Sequence, residues 1–276
     1  MDKKKVTVLI NTLNEQDNIA DCIKSVLWAD EILVVDMHSD DKTRYIAEKL
    51  GARVLLHKRV GYVEPARNFG IRKAKNNWVF VVDADERIPA ELGKAVENIV
   101  ANDKCDVCWI AEKNIIFGQW ITHGLLWPDY HPRLFKKGHL AWSNNVHDIP
   151  KPKGKELYLD ANENNAIAHY SRSYSTVTGF VESYNRYSIF EADTLNSTKY
   201  KFRRRHYMLI PFREFKLRFL THGGYKDGHH GLRLAILFAF YKFLVLAKYV
   251  EKYHPRVPHD SDRSKWRYFY DLVRDK

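Results

Sequence analysis

Short apolar runs that end in polar or acidic residues alternate, along the first hundred residues, with stretches whose apolar positions recur at helical spacing. Val6-Thr7-Val8-Leu9-Ile10 is the first run and stops at Asn11-Thr12-Leu13-Asn14-Glu15. Ile19, Cys22, Ile23, Val26 and Leu27 then mark one face of an amphipathic helix, with Asp17 placed as its N-cap. A second run, Ile32 to Val35, closes on Asp36. The helix after it, capped by Asp40 or Asp41, carries Ile46, Ala47 and Leu50, and Gly51 is its stop signal. Arg53 to Leu56 is the third run, and Pro65 suits the first turn of a helix ending near Lys75. Trp78-Val79-Phe80-Val81-Val82 follows, large and mostly β-branched or aromatic, as a strand buried on both faces reads. It runs straight into Asp83-Ala84-Asp85-Glu86.

This β-α-β-α-β-α-β order predicts an α/β fold with a parallel sheet and right-handed crossovers. Ligands of such sheets sit at the carboxyl ends of the strands. Asn14, Glu15, Asp36, Asp83 and Asp85 therefore share one edge, where Asp83 and Asp85 can offer oxygen ligands to a hard divalent cation. No Gly-x-Gly-x-x-Gly follows the first strand, and no Gly-x-x-x-x-Gly-Lys-Ser/Thr occurs. Both absences argue against a dinucleotide-binding protein and a P-loop ATPase.

Farther on, the pattern predicts a helix from Pro89 to Val100 and a strand from Val107 to Ile110. An aromatic-rich irregular stretch spans Asn114 to Trp127. Trp127 to Gly138 mixes rings, Asp129 and cations, and reads either as a sugar- and phosphate-binding segment or as a loop at the core edge with a solvated basic turn. His147 beside Asp148 is a pairing suited to acid–base chemistry. Lys151 to Asn165 reads as a surface excursion, and a helix runs from about Ser175 to Thr194. The last third changes character. Lys199 to His206 is basic with interleaved aromatics, a helical pattern follows Pro211, and Leu232 to Val250 is apolar except for Arg233, Lys242 and Lys248. A cation in mid-span costs ~2.5–3.5 kcal/mol, which favours a helix lying in a membrane interface over one crossing it. Packing on the catalytic domain or on a second subunit is the other reading. The expected division is a catalytic domain over 1–195, with halves 1–100 and 101–195, and a helical region over 196–276.

A net charge of +11 calls for an anionic partner: phosphorylated substrates, an anionic membrane surface or nucleic acid, although no nucleic-acid motif accompanies it. Cys22, Cys105 and Cys108 are too few for a disulfide framework, and Met1 to Lys5 leads into the first strand without an apolar leader. The Cys105-x-x-Cys108 pair has no second pair to complete a metal site. The expected location is the cytoplasm, peripheral on the inner face of the cytoplasmic membrane.

Taken in order, these segments resemble family 2 glycosyltransferases of the GT-A fold, most of all the group that builds the lipopolysaccharide core. The resemblance rests on Thr12-Leu13-Asn14-Glu15, Trp28-Ala29-Asp30-Glu31-Ile32, Val35-Asp36, Ala66-Arg67-Asn68 and Asp83-Ala84-Asp85-Glu86-Arg87. It continues through Pro128-Asp129-Tyr130, Arg133-Leu134-Phe135, Val146-His147-Asp148, Asn185-Arg186-Tyr187-Ser188 and the tail from Asp227 to Lys248. Two departures stand out. Asp36-Met37-His38-Ser39-Asp40-Asp41 replaces the family's Gly-containing turn, and Asp148 stands where Glu is common. The resemblance implies inverting transfer of a sugar from a nucleoside diphosphate sugar, UDP-glucose by default, to a lipid-linked or core-oligosaccharide acceptor of the cell envelope. It further implies that Thr12, Asn14, Glu15 and Asp36 hold the nucleoside, and that Asp85 ligates Mg²⁺ or Mn²⁺ with Asp83 near the metal shell. Arg67 and Arg133 would meet phosphate, and Asp148, or secondly Asp129, would be the base. Three other readings stay open: transfer to a polyprenyl phosphate or capsule intermediate, a homo-oligomer, and a basic membrane- or nucleic-acid-binding module without activity.

Overall fold

The computed structural model describes residues 4–59, 63–142 and 150–254. Its first half follows the alternation: β1 (Val6–Thr12), α1 (Ile19–Ser25), β2 (Glu31–Asp36), α2 (Thr43–Lys49), β3 (Arg53–Leu56), α3 (Glu64–Lys73) and β4 (Trp78–Asp83). Strand β1 pairs in parallel with both β2 and β4, and β2 with β3. Alternate residues of these strands enter opposite cores, which is why the runs are apolar throughout rather than every second residue. Val8, Ile10, Phe80 and Val82 pack with Ile19 and Ile23 of α1 and with Leu92 and Val96 of α4 (Ala90–Ala101). Leu9, Leu33, Val79 and Val81 pack with Ala66 and Ile71 of α3 on the other face. Helix α3 lies so close that a Cβ on Gly70 would come 2.4 Å from the Leu9 side chain.

Local signals locate the helices better than their caps. Gly51 ends α2 with φ of 83°. Asp41, rather than capping as N-cap residue, accepts from the Thr43 amide one position inside. Asp17 does not cap α1; Asn18 holds that position and turns its amide to Glu15, while Asp17 pairs with Arg172.

The second half departs further from the pattern. The short β5 (Glu86–Arg87), β6 (Val107–Ile116), β7 (Gln119–Trp120), β8 (Asp129–Lys136), β9 (Glu156–Tyr158) and β10 (Ile167–His169) extend the sheet to the order β3-β2-β1-β4-β8-β6-β10-β5, with β7 and β9 attached to β6. The segment Trp127 to Gly138, read either as a sugar- and phosphate-binding stretch or as a core-edge loop, contains β8, a central strand antiparallel to both β4 and β6. Pro132 and the interleaved His131, Arg133 and Lys136 hide it from a search for apolar runs. The proline is accommodated where the β6–β8 register shifts between Cys108 and Trp109, a bulge that spares a ladder donor. The excursion after Lys151 likewise contains β9, paired in parallel with β6. Cys22, Cys105 and Cys108 are free and buried.

Helices α5 (Arg172–Ser175), α6 (Val177–Ser197), α7 (His206–Phe215) and α8 (Gly228–Tyr253) complete the fold, with a π-helical turn at Lys216–Thr221 and a 3-10 turn at Gly224–Asp227 between the last two. Helix α7 starts ahead of Pro211 and contains it. A third core joins Ile116, Ile121, Phe180, Leu234 and Phe238, so α6 packs with the C-terminal helices as one helical unit. Within that unit α8 crosses the 3-10 turn so closely that a Cβ on Gly231 would fall 1.8 Å from the Gly224 carbonyl oxygen.

Candidate active site

The parallel strands deliver their ends level with one another: Thr12 lies opposite Asp36, and Asn11 opposite Asp83. The loops behind β1 and β2 are stitched together by side chains. The Asn14 amide donates to Ser39 Oγ, Asp40 donates to Asn14 Oδ1, and the Glu15 amide donates to Thr43 Oγ1. Asn14 takes a positive φ of 58° to do so. Asp36 is fully buried and accepts from Thr12 Oγ1 at 3.0 Å and the Ser39 amide at 2.8 Å. Its carboxylate builds this loop floor instead of projecting from it, which differs from the sequence expectation of a group presented to ribose or base.

The acidic end of β4 is threaded by two arginines. Arg67 Nη2 donates to Asp83 Oδ1 at 2.8 Å, and its guanidinium lies 4.9 Å from the Trp142 ring. Arg133, projecting from β8, donates to Asp83 Oδ2 at 3.2 Å, to Glu86 Oε1 at 2.6 Å and to Glu112 Oε1. With 8% of its side chain exposed and three carboxylates around it, Arg133 is the hub of a buried network and offers no free fork to a phosphate. Burial opposes ionisation of Asp83, yet Arg67 and Arg133 outweigh it and hold the carboxyl well below its ordinary range. Both Asp83 oxygens therefore already face guanidinium groups.

Asp85 has no such cation clamped on it. Its Oδ2 lies 3.4 Å from His169 Nε2, the last residue of β10. His169 Nδ1 is 2.9 Å from Asn114 Oδ1, and Asn114 Nδ2 donates to Asp129 Oδ2 at 3.3 Å. His131 Nε2 in turn lies 3.1 Å from Asp129 Oδ1 and 3.7 Å from Glu112 Oε1. A continuous polar chain thus links Asp85 to Asp129. Asp148 lies outside the described residues, as does His147. Sequence reasoning missed Glu112, Asn114 and His169. Glu112 and Asn114 share one face of a strand, and His169 ends one, so a search for polar residues at strand ends beyond residue 100 would have found them.

Electrostatics agree with this geometry. Burial raises the Glu15 carboxyl; an Asn18 hydrogen bond resists it and the charge of Asp85 adds to it. Burial would raise Asp129, but its bond to His131 pulls it below the usual value, so it is a carboxylate at neutral pH. Burial opposes charge on His169, and Asp85, with Glu86 and Glu112 behind it, overrides this and lifts it from 6.5 to about 9. Burial raises Glu86 from 4.5 to about 8, against the pull of Arg133. Both groups keep a proton in the folded chain at pH values where the unfolded chain has released it. Stability is therefore expected to fall as pH rises, across 4.5 to about 8 for Glu86 and 6.5 to about 9 for His169. Thermal unfolding without added metal, between pH 6 and about 9, should show this decline, and His169→Gln should flatten its alkaline part. A melting temperature that climbs over this range would contradict the protonation states.

A fold with its carboxylates gathered at one strand edge invites comparison with known proteins. Residues 7–152 match the model of glycosyl transferase family 2. The chain belongs to this family. An uncharacterized glycosyltransferase of Rickettsia bellii is 32% identical over 257 residues, covering 89% of this chain and 86% of that one. The lipopolysaccharide core biosynthesis glycosyltransferase LpsC of Rhizobium meliloti is 27% identical, over 91% and 94% of the two chains. Among solved structures, the mannosyltransferase PcManGT of Pyrobaculum calidifontis, in complex with GDP-Man and Mn²⁺, superposes with a TM-score of 0.54 at 14% identity, covering 89% of this chain and 87% of its own. The transferase thus has the α/β GT-A fold, followed by a long apolar C-terminal helix. The family match ends at residue 152, and α6 to α8 lie beyond it.

In this transferase Asp85, a carboxylate with no guanidinium clamped on it, is the group best suited to a hard cation such as Mn²⁺ or Mg²⁺, and His169 beside it would add an imidazole nitrogen only after releasing its proton. Glu112, Asp129 and His131 also offer ligand atoms within 4.8 Å of one another. Glu112 is already paired with Arg133 and Asp129 with His131, so this second cluster is satisfied as an ion-paired group.

Proposed function

We propose that the transferase is an inverting, divalent-cation-dependent hexosyltransferase that uses a nucleoside diphosphate sugar, UDP-glucose by default. Its acceptor is a cell-envelope glycan such as the inner core of lipopolysaccharide or lipooligosaccharide. The observation that supports this reading is the Asp85–His169–Asn114–Asp129 chain, which joins the carboxylate proposed for the cation to the carboxylate proposed as the base. The core-biosynthesis relative supports the acceptor class, and the GDP-Man and Mn²⁺ complex of the mannosyltransferase supports the donor class.

The stitched loops of Thr12, Asn14, Glu15 and Asp36 form the floor under the nucleoside. Arg67 and Arg133 fix Asp83 near the place of the cation, and Asp85 would hold that cation, with His169 joining it on losing its proton. When bound, that cation supplies Lewis-acid neutralisation of the leaving diphosphate. Asp129 accepts the proton of the acceptor hydroxyl as its oxygen bonds to the anomeric carbon. The bond to the diphosphate breaks on the opposite side, and the configuration inverts. Asn114 positions Asp129 and His169 together. A lipid-linked acceptor would keep the enzyme on the cytoplasmic face of the inner membrane.

The test is release of nucleoside diphosphate from a panel of UDP-, GDP- and dTDP-sugars with Mn²⁺, Mg²⁺ or EDTA. One donor is expected to turn over, only with metal. In that assay, with acceptor present, Asp129→Asn should lower kcat by about 10²–10⁴-fold while leaving the donor KM little changed, as loss of a general base does. If Asp129→Asn keeps its turnover and Asp148→Asn loses it, the base is Asp148. If no sugar nucleotide binds with metal present, the reading fails as a whole.

A further inference from the structure

The C-terminal helices carry a surface that the transfer reaction does not use. Met208, Leu209 and Phe212 of α7 are exposed, Met208 by 76% and Phe212 by 65%, and Leu217 and Leu220 continue the strip along the π-helical turn. On α8, Leu232, Ile236, Phe240 and Phe243 recur at helical spacing and are also exposed. The two strips adjoin where the Tyr207 ring packs 5.6 Å from Phe243. From Lys199 to Lys226 the chain has nine Lys or Arg residues and one acidic residue, Glu214, which is paired with Arg218. A contiguous apolar ridge of this kind, flanked by cations, is uncommon on a soluble surface and marks an interaction site.

We propose that this ridge is a docking face for the interface of an anionic phospholipid bilayer, with α7 and α8 lying in the membrane plane. Charge complementarity selects the occupant. A second copy meeting the same face by two-fold symmetry would set like cations against one another. Bilayer headgroups of opposite sign welcome them, and the acyl boundary takes the Phe, Leu and Met side chains. Helix α8 is long and apolar enough to cross a membrane, but its other side is committed to protein. Tyr241 and Lys242 both bond to Glu191, Lys248 Nζ donates to the Asn185 carbonyl, and Lys252 pairs with Asp193. Those partners on α6 make a peripheral, in-plane placement the one that keeps Lys242, Lys248 and Lys252 satisfied.

The docking face and the acceptor side of the site belong to one piece. Thr122 Oγ1 and the His123 amide donate to Asp227, and Arg218 Nη1 donates to the Gly124 carbonyl. These bonds hold the segment that leads into Asp129 on the very helices that would meet lipid. Given the transfer reaction proposed above, docking would bring a membrane-embedded acceptor to the Asp129 edge.

The full chain should co-sediment with vesicles containing phosphatidylglycerol, weakly with pure phosphatidylcholine, and less as salt is raised. Replacing Arg203, Arg204 and Arg205 with Gln should lower partitioning by about a hundredfold at low salt, roughly fivefold per cation. Phe212→Ser with Phe240→Ser should reduce it further, while donor hydrolysis in solution stays unchanged. No vesicle binding, or equal binding by these variants, overturns the proposal. So does a dimer that the Phe212→Ser and Phe240→Ser pair dissociates without any lipid binding, or a preference for oligonucleotides over vesicles. Vesicle binding by a chain that hydrolyses no sugar nucleotide would leave the docking face standing and refute the transferase mechanism instead.

Discussion

With Asp85 replaced by Ala, metal-dependent release of nucleoside diphosphate should fall at least about a thousandfold, because a Lewis-acidic cation offsets several kcal/mol of charge on the leaving group. The fold should survive the change. Among the described residues the Asp85 side chain pairs with His169, and its carbonyl keeps the bond from the Tyr170 amide. A melting temperature within a few degrees of the parent protein is therefore expected, as for changes away from a packed core. His169 would lose the first of the groups that raise it and titrate lower. Calorimetric titration with Mn²⁺ in the presence of UDP gives a second readout, in which the variant should show no metal-linked nucleotide binding. Wild-type turnover by Asp85→Ala, or turnover that survives EDTA in the parent, would remove Asp85 from the metal site.

The second large effect concerns stability. Arg133→Leu would strand the Glu112 and Asp83 carboxylates, beside the protonated Glu86 carboxyl, around an apolar side chain, in a site where Glu86 and Glu112 are almost wholly buried. Removing one partner of a buried ionic network costs about 3–5 kcal/mol, chiefly for the charges left behind. At roughly 2–4 °C per kcal/mol for a domain near this size, the melting temperature should drop by about 10 °C. The double variant Arg133→Leu with Glu112→Leu should recover part of that loss, since it removes an unpaired charge along with its partner. Urea unfolding of the single and double variants checks both statements. A single-variant cost below about 1 kcal/mol would mean that water or rearrangement already serves these carboxylates.

The sequence by itself determined the nucleotide-side half of the molecule. Runs such as Val6 to Ile10 and Trp78 to Val82, separated by stretches of helical spacing, leave few alternatives to a parallel sheet. The rule that ligands gather at strand carboxyl ends then places Asn14, Glu15, Asp36, Asp83 and Asp85 together. Those inferences work because parallel strands buried on both faces and their crossover helices write their periodicity locally. Tertiary structure decided the rest. Strand β8 pairs with β4 across more than fifty residues and is antiparallel, so its polar and proline-interrupted pattern makes sense only once Glu86 and Glu112 surround Arg133. The same pairing turned Arg133 from an expected phosphate contact into the hub that bonds three carboxyl groups. Asp36, acidic and at a strand end, looked like a ligand-facing group until Thr12 and Ser39 accounted for its oxygens. His169 and Asn114 reach the site from strands more than fifty residues apart, and only the folded sheet brings them between Asp85 and Asp129. Periodicity reports which face of an element is buried, whereas the partner that a buried charge meets is set by chain pairing at long range.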